Sequence, residues 1–353
     1  ALLVRSPDIV RRSARRFAAA ASAVAVGVAA IALVVPNAVV ADPGATRMTR
    51  VGSLFASAED EIASVQAGVA GGREALWVAG TGMTRLTVDA KLMALMPEFT
   101  RPAASRMLVI AFGMGSSFRT GLASGLTVDG VELVPSVPEM FHFFQADAAQ
   151  VLGNPRGHIV IADGRNYVAL TLKSYDIVIV DPPPPIESSG TAVLYAREFY
   201  QAVADRLSPD GVMMQWVSAV GSVDEFRTQV RTFAGVFPNV LLAFGPETGG
   251  VYMLGSATPL SLDRGSIAAV LDRPGVLADL GEASDAPVST KEAWLSLVPT
   301  LAWLDTPAAR RFAGDGALAS DDRPYTEYFI LRRAFGAKSP PATRANLRAA
   351  AGP

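Results

Sequence analysis

From about residue 107 to residue 256 the chain alternates between short apolar runs and amphipathic stretches, and no other feature constrains its fold as strongly. The first run is "MLVIAF" and the last is "VYMLGS". Such runs are typical of strands buried on both faces. One intervening stretch spaces Phe199, Val203 and Leu207 as a helix would. The alternation predicts an α/β fold with an open, mostly parallel sheet and helices on both faces, and an antiparallel edge where the last two runs lie close together.

An uncharged stretch near the N-terminus predicts a membrane segment. "FAAAASAVAVGVAAIALVV" (17–35) carries no charge and follows Arg11, Arg12, Arg15 and Arg16. A span needs about 20 apolar residues, so residues 17–41 are interpreted as a transmembrane helix. The arginines would then place the following domain outside the cytoplasm. A cleaved signal peptide, the last helix of a larger membrane protein and a buried Ala-rich helix of a cytoplasmic protein are the alternatives.

Changes of composition divide the remaining chain. The predicted parts are a basic N-terminal segment (1–16), the transmembrane helix (17–41), a linker with a β-rich module (42–105), a nucleoside-binding domain (106–260), a helical region that completes it (261–336) and a disordered tail (337–353). Within the β-rich module, "EALWVAG" and "MTRLTVD" are expected to form a β-hairpin. "KLMALMP" is expected to be a short helix that ends at Pro97.

Composition excludes several classes of function. The net charge is -2, so no basic excess is available to bind nucleic acid. There are no cysteines, which excludes disulfides, thiolate metal sites and a cysteine nucleophile. The two histidines argue against a His-rich metal site and a Ser-His-Asp triad. We therefore expect no metal.

Polar groups and glycines follow the first two strands of the predicted sheet. In such sheets ligands bind outside the carboxyl ends of the strands. Gly113 and Gly115 follow the first strand and would let the backbone approach a ligand closely. Phe118 stands where a dinucleotide fingerprint has its third glycine, so the full motif is absent and a plain Gly-rich turn is the alternative. Glu132 ends the second strand, nineteen residues after Gly113, and is placed to bind ribose hydroxyls.

Carboxylates also follow the next two strands. Asp163, before Gly164, can accept a hydrogen bond from an exocyclic amino group of a base, or can belong to an ordinary turn. Asp181 follows four apolar residues, 177–180, and precedes four prolines, residues 182–185. Partial burial would raise its pKa and suit it to take a proton from an amine. The prolines would form a stiff wall beside it. A structural loop cap is the alternative for Asp181.

Together these segments resemble the spermidine synthase (polyamine aminopropyltransferase) family, and in particular its membrane-associated bacterial branch. The segments are "RMLVIAFGMGSSFR", "DGVELV", "IADGRNYV", "YDIVIVDPPPP" and "LYAREFYQAVADRLSPDGVMMQW", within a resemblance that covers about residues 75 to 335. The resemblance implies a Rossmann-like fold of the methyltransferase type. It also implies transfer of the aminopropyl group of decarboxylated S-adenosylmethionine to a small-molecule amine in polyamine biosynthesis, with release of methylthioadenosine and without a metal.

By the same resemblance, Gly113 and Gly115 line the nucleoside site and Glu132 holds the ribose. Asp163 and Gly164 meet the adenine, and Asp181 is the catalytic carboxylate that deprotonates or orients the amine. Family members are often dimers or tetramers, so a homo-oligomer is expected.

Three positions depart from the family pattern. Met114 replaces an acid in the glycine loop, Pro184 replaces a second aspartate, and Ala90 replaces a polar residue before the first helix. Each change removes a partner for a cationic amine, although Glu187 could substitute if the proline run folds back. Two other functions therefore stay open: an S-adenosylmethionine-dependent methyltransferase, and a non-catalytic nucleoside-binding scaffold domain of a membrane protein.

Overall fold

The computed structural model describes residues 21–30, 48–181, 189–217, 221–247, 249–325, 327 and 338–352. Residues 21–30 and 48–51 are helical. The remainder comprises an N-terminal antiparallel sheet and a larger mixed sheet with helices on both faces.

The N-terminal sheet has four antiparallel strands in the order β1-β2-β3-β4. They are β1 (Gly52–Glu59), β2 (Ser64–Ala70), β3 (Arg73–Val78) and β4 (Thr81–Arg85). The expected hairpin is present as β3 and β4, which pair antiparallel. Its second strand ends at Arg85, earlier than "MTRLTVD" suggested, because helix α1 (Val88–Thr100) begins with Thr87 as its N-cap. Pro97 does not end this helix, because the helix continues for three more residues, to Thr100.

The larger sheet has the order β12-β10-β11-β9-β8-β5-β6-β7. Its strands are β5 (Arg106–Ile110), β6 (Thr127–Glu132), β7 (Gly157–Ile161), β8 (Tyr175–Val180), β9 (Leu207–Val217), β10 (Asn239–Phe244), β11 (Val251–Ser256) and β12 (Ala302–Leu304). The five neighbouring strands β9, β8, β5, β6 and β7 run parallel to one another. Strands β11, β10 and β12 form the antiparallel edge. The expected Rossmann-like, mostly parallel sheet is therefore confirmed. Strand β5 pairs with β6 on one side and with β8 on the other. The strand order therefore reverses at β5, which creates a switch point.

Helices cover both faces of this sheet. After α1 they are α2 (Ser116–Ala123), α3 (Ser136–Glu139), α4 (Ala148–Leu152), α5 (Gly164–Leu170), α6 (Ser189–Ala192), α7 (Arg197–Ala204), α8 (Val223–Val236), α9 (Arg264–Leu271), α10 (Val276–Gly281), α11 (Lys291–Leu301), α12 (Thr306–Ala313) and α13 (Arg344–Ala351). Short 3-10 turns span Met140–Phe143 and Val193–Tyr195.

Two apolar cores hold the layers together, one on each face of the sheet. Strand β8 contributes to both: Ile177 and Ile179 join one core, and Val178 and Val180 join the other. Successive side chains of a strand point to opposite faces, so an uninterrupted apolar run is what a central parallel strand requires. The run ends at Val180, and Asp181 therefore lies just beyond the carboxyl end of this central strand.

The C-terminal segment, expected to be disordered, is ordered over residues 338–352. Ala342 and Leu347 are fully buried, and α13 packs against α8 and α12. Pro341 bridges to Ser222 just before α8. A composition rich in alanine, proline and arginine predicts disorder for an isolated segment. Here the segment packs against α8 and α12, which supply apolar contacts that the segment lacks on its own.

The transmembrane helix expected over residues 17–41 falls largely outside the described residues. Of this stretch only residues 21–30 are described, and ten helical residues are about half of what a bilayer span requires. Among the described parts of the chain, no helix is both long enough and apolar enough to cross a membrane.

Candidate active site

A cavity of about 160 Å³ opens at the carboxyl ends of β5, β6, β7 and β8, at the switch point of the sheet. Five of the six candidate residues line it, and the sixth, Gly115, lies in the same loop. The described lining residues are Leu76, Val78, Ala90, Ile110, Ala111, Phe112, Gly113, Met114, Ser116, Ser117, Val131, Glu132, Leu133, Val134, Val137, Asp163, Gly164, Asp181, Gly190 and Leu194. The wall is mostly apolar with a few carboxylates, as is typical of small-molecule sites.

The loop from β5 to α2 has an unusual backbone. Ala111, Gly113 and Gly115 all have positive φ, of 69°, 54° and 72°. A Cβ on Gly115 would lie 2.4 Å from Cε2 of Phe141, so only glycine fits there. The loop thereby turns tightly and brings its backbone to the cavity, where Gly113 is part of the lining.

Glu132 holds this loop in place. Its Oε2 accepts hydrogen bonds from the backbone N–H groups of Phe112, at 2.9 Å, and Gly113, at 3.4 Å. Its Oε1 accepts from the N–H of Val134, at 3.0 Å. Burial raises the pKa of Glu132, and these backbone hydrogen bonds oppose the increase. The carboxylate therefore organises the glycine loop at the edge of the cavity.

Asp163 is the N-cap of α5. Its Oδ1 accepts a hydrogen bond from the N–H of Asn166, at 2.8 Å, which leaves the other oxygen for a ligand. Gly164 follows, and a Cβ there would lie 2.4 Å from Cγ2 of Ile110. Both of the readings considered for Asp163, local turn chemistry and a place at the site, are compatible with this geometry.

Asp181 lies at the tip of β8 beside the cavity. Its N–H donates to the carbonyl of Ile110, at 3.3 Å, and continues the pairing of β8 with β5. The carboxyl group keeps some solvent exposure through the cavity, yet the surrounding protein raises its pKa to about 7 by desolvation. Within the described part of the chain, no cation or hydrogen-bond donor contacts this carboxylate. It can therefore exchange a proton near neutral pH.

Several lining residues were not identified from the sequence. Leu76 and Val78 reach the cavity from β3, so the N-terminal sheet forms part of its wall. Ser116 and Ser117, in the first turn of α2, were passed over although they directly follow the glycine loop. That adjacency was the signal available, because a loop that enters a helix at a strand tip exposes the first turn of the helix.

Two of the three departures from the family pattern lie at this cavity. Met114 and Ala90 both line it and are buried. Pro184, together with the rest of the proline run and Glu187, falls outside the described residues. The described residues include no group of three or more His, Cys, Asp or Glu side chains arranged to hold a metal ion.

Known proteins resemble the chain in this region. The sequence profile of the spermine/spermidine synthase domain matches residues 89–244. The polyamine aminopropyltransferase of Methanocaldococcus jannaschii is 36% identical over 127 residues, which are 35% of this chain and 43% of that protein. The chain spans about half the length of the curated relatives it matches.

Solved structures agree in fold. The spermidine synthase of Thermotoga maritima superposes with a TM-score of 0.51 at 25% identity and covers 59% of this chain and 74% of that one. A spermidine synthase in complex with the transition-state analogue AdoDATO gives a TM-score of 0.52 at 24% identity, covering 59% and 75%.

All six candidate site residues fall inside the matched range. Their carboxylates and glycines lie at the strand tips where this type of fold binds its ligands. Over residues 89–244 the chain therefore matches the spermine/spermidine synthase domain, and the candidate site lies within that match.

Proposed function

We propose that this protein is an aminopropyltransferase. It transfers the aminopropyl group of decarboxylated S-adenosylmethionine to a small-molecule amine and releases methylthioadenosine. One observation supports this above the others: Glu132, Asp163 and Asp181 meet at one cavity, within the range that matches the spermine/spermidine synthase domain.

The nucleoside would occupy the part of the cavity beside Glu132 and Asp163. Glu132 would accept hydrogen bonds from the ribose hydroxyls while it keeps the loop in place. The free oxygen of Asp163 would accept one from the amino group of adenine. Gly113 and Gly164 would let the backbone approach the ligand without a side chain in between.

Asp181 would act on the acceptor. An amine is protonated at neutral pH and must lose a proton before it can attack carbon. Asp181, with a pKa of about 7, would take that proton. The amine nitrogen then bonds to the propyl carbon as the carbon–sulfur bond breaks, and the electron pair stays on the sulfur of methylthioadenosine. A sulfonium is already a good leaving group, so the protein mainly aligns the two reactants and removes the proton.

The part of the cavity that would bind the acceptor amine has too few carboxylates to pair with both ammonium groups of a diamine. Among the described lining residues the carboxylates are Glu132, Asp163 and Asp181, and the first two serve the nucleoside. Met114 and Ala90 add only apolar surface. A second ammonium buried against such a wall would be costly, so we propose an acceptor other than putrescine.

Product analysis tests this proposal. The full chain would be incubated with decarboxylated S-adenosylmethionine and a panel of mono- and diamines, and methylthioadenosine and the extended amine would be measured by mass spectrometry. Asp181→Asn should lower turnover by about 10²-fold or more with folding retained. Asp205→Asn, an exposed aspartate, serves as the matched control.

Other outcomes would contradict the proposal. S-adenosylhomocysteine as the product would indicate methyl transfer. Equal behaviour of Asp181→Asn and Asp205→Asn, with methylthioadenosine bound but never formed, would indicate a non-catalytic nucleoside-binding domain.

Membrane attachment is a separate proposal, supported by the sequence of residues 17–41 and by the resemblance to the membrane-associated branch. Fractionation of cells that express the full chain tests it. Recovery in the membrane pellet is expected, with release when four charged residues are inserted into the stretch 17–35. Recovery of the unaltered chain in the supernatant would favour the cytoplasmic alternative.

Sedimentation velocity of the purified protein tests the proposed homo-oligomer.

A further inference from the structure

The cavity wall at the start of α2 has a chemistry that the proposed aminopropyl transfer does not use. We call Met114, Ser116 and Ser117 the donor-tail wall, and all three line the cavity. Among the described residues, the wall combines backbone N–H groups that have no acceptor, one hydroxyl that has no partner, and no charge.

The backbone N–H groups belong to the first turn of α2. Its N-cap, Gly115, has no side chain and supplies no capping hydrogen bond. The first N–H groups of a helix have no acceptor within the helix, so those of residues 116–118 have none there. They also lie at the positive end of the helix dipole, where a negative charge is stabilised. In contrast, the start of α1 is capped by Thr87 and by Asp285, whose Oδ1 accepts from the N–H of Val88 at 2.8 Å.

Ser116 provides an independent indication of a ligand. It is only 8% exposed, yet it borders the cavity. Its hydroxyl has no hydrogen-bond partner among the described residues. Neighbouring Ser117, by comparison, donates to the carbonyl of Ala90 at 3.1 Å. A hydroxyl on the cavity wall that uses no protein partner is available to a hydrogen-bonding ligand.

Two of the three acidic groups of the cavity are hydrogen-bonded to the backbone, and the third, Asp181, is assigned to the acceptor amine. Glu132 bonds the N–H groups of Phe112 and Gly113, and Asp163 caps α5. Met114 is buried and uncharged. A ligand carboxylate at the donor-tail wall would therefore meet N–H and O–H donors, and the wall itself carries no charge.

We propose that the donor-tail wall binds the α-carboxylate of S-adenosylmethionine, so that the undecarboxylated compound is also a donor. This inference rests on the proposed function, because it requires an adenosyl sulfonium in the cavity. The same bonds change as before. The amine nitrogen attacks the carbon next to sulfur, the carbon–sulfur bond breaks, methylthioadenosine leaves, and Asp181 takes the proton from nitrogen. The product carries a 3-amino-3-carboxypropyl group.

Calorimetric titration of the full chain with methylthioadenosine, decarboxylated S-adenosylmethionine and S-adenosylmethionine tests the binding. The unaltered protein should bind the two donors with Kd values within about tenfold of each other. Met114→Asp should weaken S-adenosylmethionine by about tenfold or more, because its carboxylate repels the ligand's and competes for the same N–H groups. It should leave methylthioadenosine unchanged and should not weaken the decarboxylated donor. Met114→Leu is the size-matched control.

Ser116→Ala gives a second, milder test. Loss of one hydrogen bond should weaken S-adenosylmethionine about fivefold and spare methylthioadenosine. The inference is overturned if S-adenosylmethionine binds more than 100-fold weaker than its decarboxylated form, or if Met114→Asp and Met114→Leu behave alike. It is also overturned if mass spectrometry detects a methylated amine in place of the carboxypropylated one. Failure of methylthioadenosine itself to bind would instead remove the proposed function together with this inference.

Discussion

At the residue scale, Asp181 combines a position at the cavity with a proton affinity suited to neutral pH. The four apolar residues before it, 177–180, form the buried end of β8, and desolvation raises the pKa of the carboxyl group. An unburied aspartate at the same place would be a much weaker base. The apolar run is therefore part of the proposed catalytic device as well as of the core.

This pKa predicts a pH dependence of turnover. Asp181 must be ionised to accept a proton, so kcat at saturating donor and amine should rise about tenfold per unit below pH 7 and level off above it. Stopped assays of methylthioadenosine release between pH 5 and 9 would measure the profile. A rate that is flat across pH 6 to 8 would exclude Asp181 as the proton acceptor.

Ala111 makes a second prediction at this scale. Its φ of 69° is costly for a residue with a Cβ, by about 1 kcal/mol. Ala111→Gly should therefore stabilise the protein by about 1 kcal/mol, measured by thermal or urea unfolding. Ala269→Gly, exposed in the helix α9, should instead destabilise it by a similar amount. Equal losses in both variants would show that the loop stores no strain at Ala111.

At the element scale, a buried carboxylate connects α1, α2 and the turn after α9. Glu98 is fully buried at the end of α1 and contacts the hydroxyl of Ser124 and the guanidinium of Arg273. Arg273 also donates to the Ser124 hydroxyl, at 2.8 Å. The Oε1 atom of Glu98 has no hydrogen-bond partner among the residues that the structure describes. Desolvation raises the pKa of Glu98 to about 7, although Ser124 and Arg273 both oppose the increase.

This contact predicts that stability falls as the pH rises. The folded state retains a proton on Glu98 up to about pH 7, whereas the unfolded chain loses it near pH 4.5. The folded state therefore binds more protons in this window, and ionisation costs about 3 kcal/mol by pH 8. Glu98→Gln should flatten the fall of Tm between pH 5 and 8. Asp181 acts with the same sign, so the slope should be reduced rather than abolished, and Asp181→Asn should reduce it as well. An unchanged slope in Glu98→Gln would contradict the raised pKa.

At the scale of the whole molecule, the C-terminal segment ties distant parts of the chain together. The backbone of Val223 donates to Pro340, and that of Ala342 donates to Gly221. Arg344 and Arg348 lie over the ring of Phe244 at 4.8 and 5.2 Å from its centroid. The last residues thereby close the sheet at β10 and the start of α8.

Leu347 anchors this segment, which predicts its contribution to stability. It is fully buried, and Leu347→Ala should lower the free energy of unfolding by about 2 to 4 kcal/mol. Ala349→Ser, exposed on the same helix, should change it by less than about 0.5 kcal/mol. Chemical denaturation with matched hydrogen exchange of α13 would measure both effects. Similar values for the two variants would mean that α13 adds nothing to global stability.

The strands, the order of the α/β units and the residues at the strand tips follow from local patterns in the sequence. The runs "MLVIAF" and "IVIV" (177–180) are apolar at every position, as is typical of a strand buried on both faces. The carboxyl ends of parallel strands lie along the same side of a sheet. The sequence therefore predicted that Glu132, Asp163 and Asp181 lie close to one another.

The contacts between distant segments could not be predicted from such local patterns and are seen only in the folded chain. Folding brought Leu76 and Val78 of the N-terminal sheet to the cavity, ordered the tail around Leu347, and joined Glu98 to Arg273. It also raised the pKa of Asp181 to about 7. Burial and long-range pairing depend on residues far apart in the chain, and local propensity and spacing carry no information about which distant surfaces will meet.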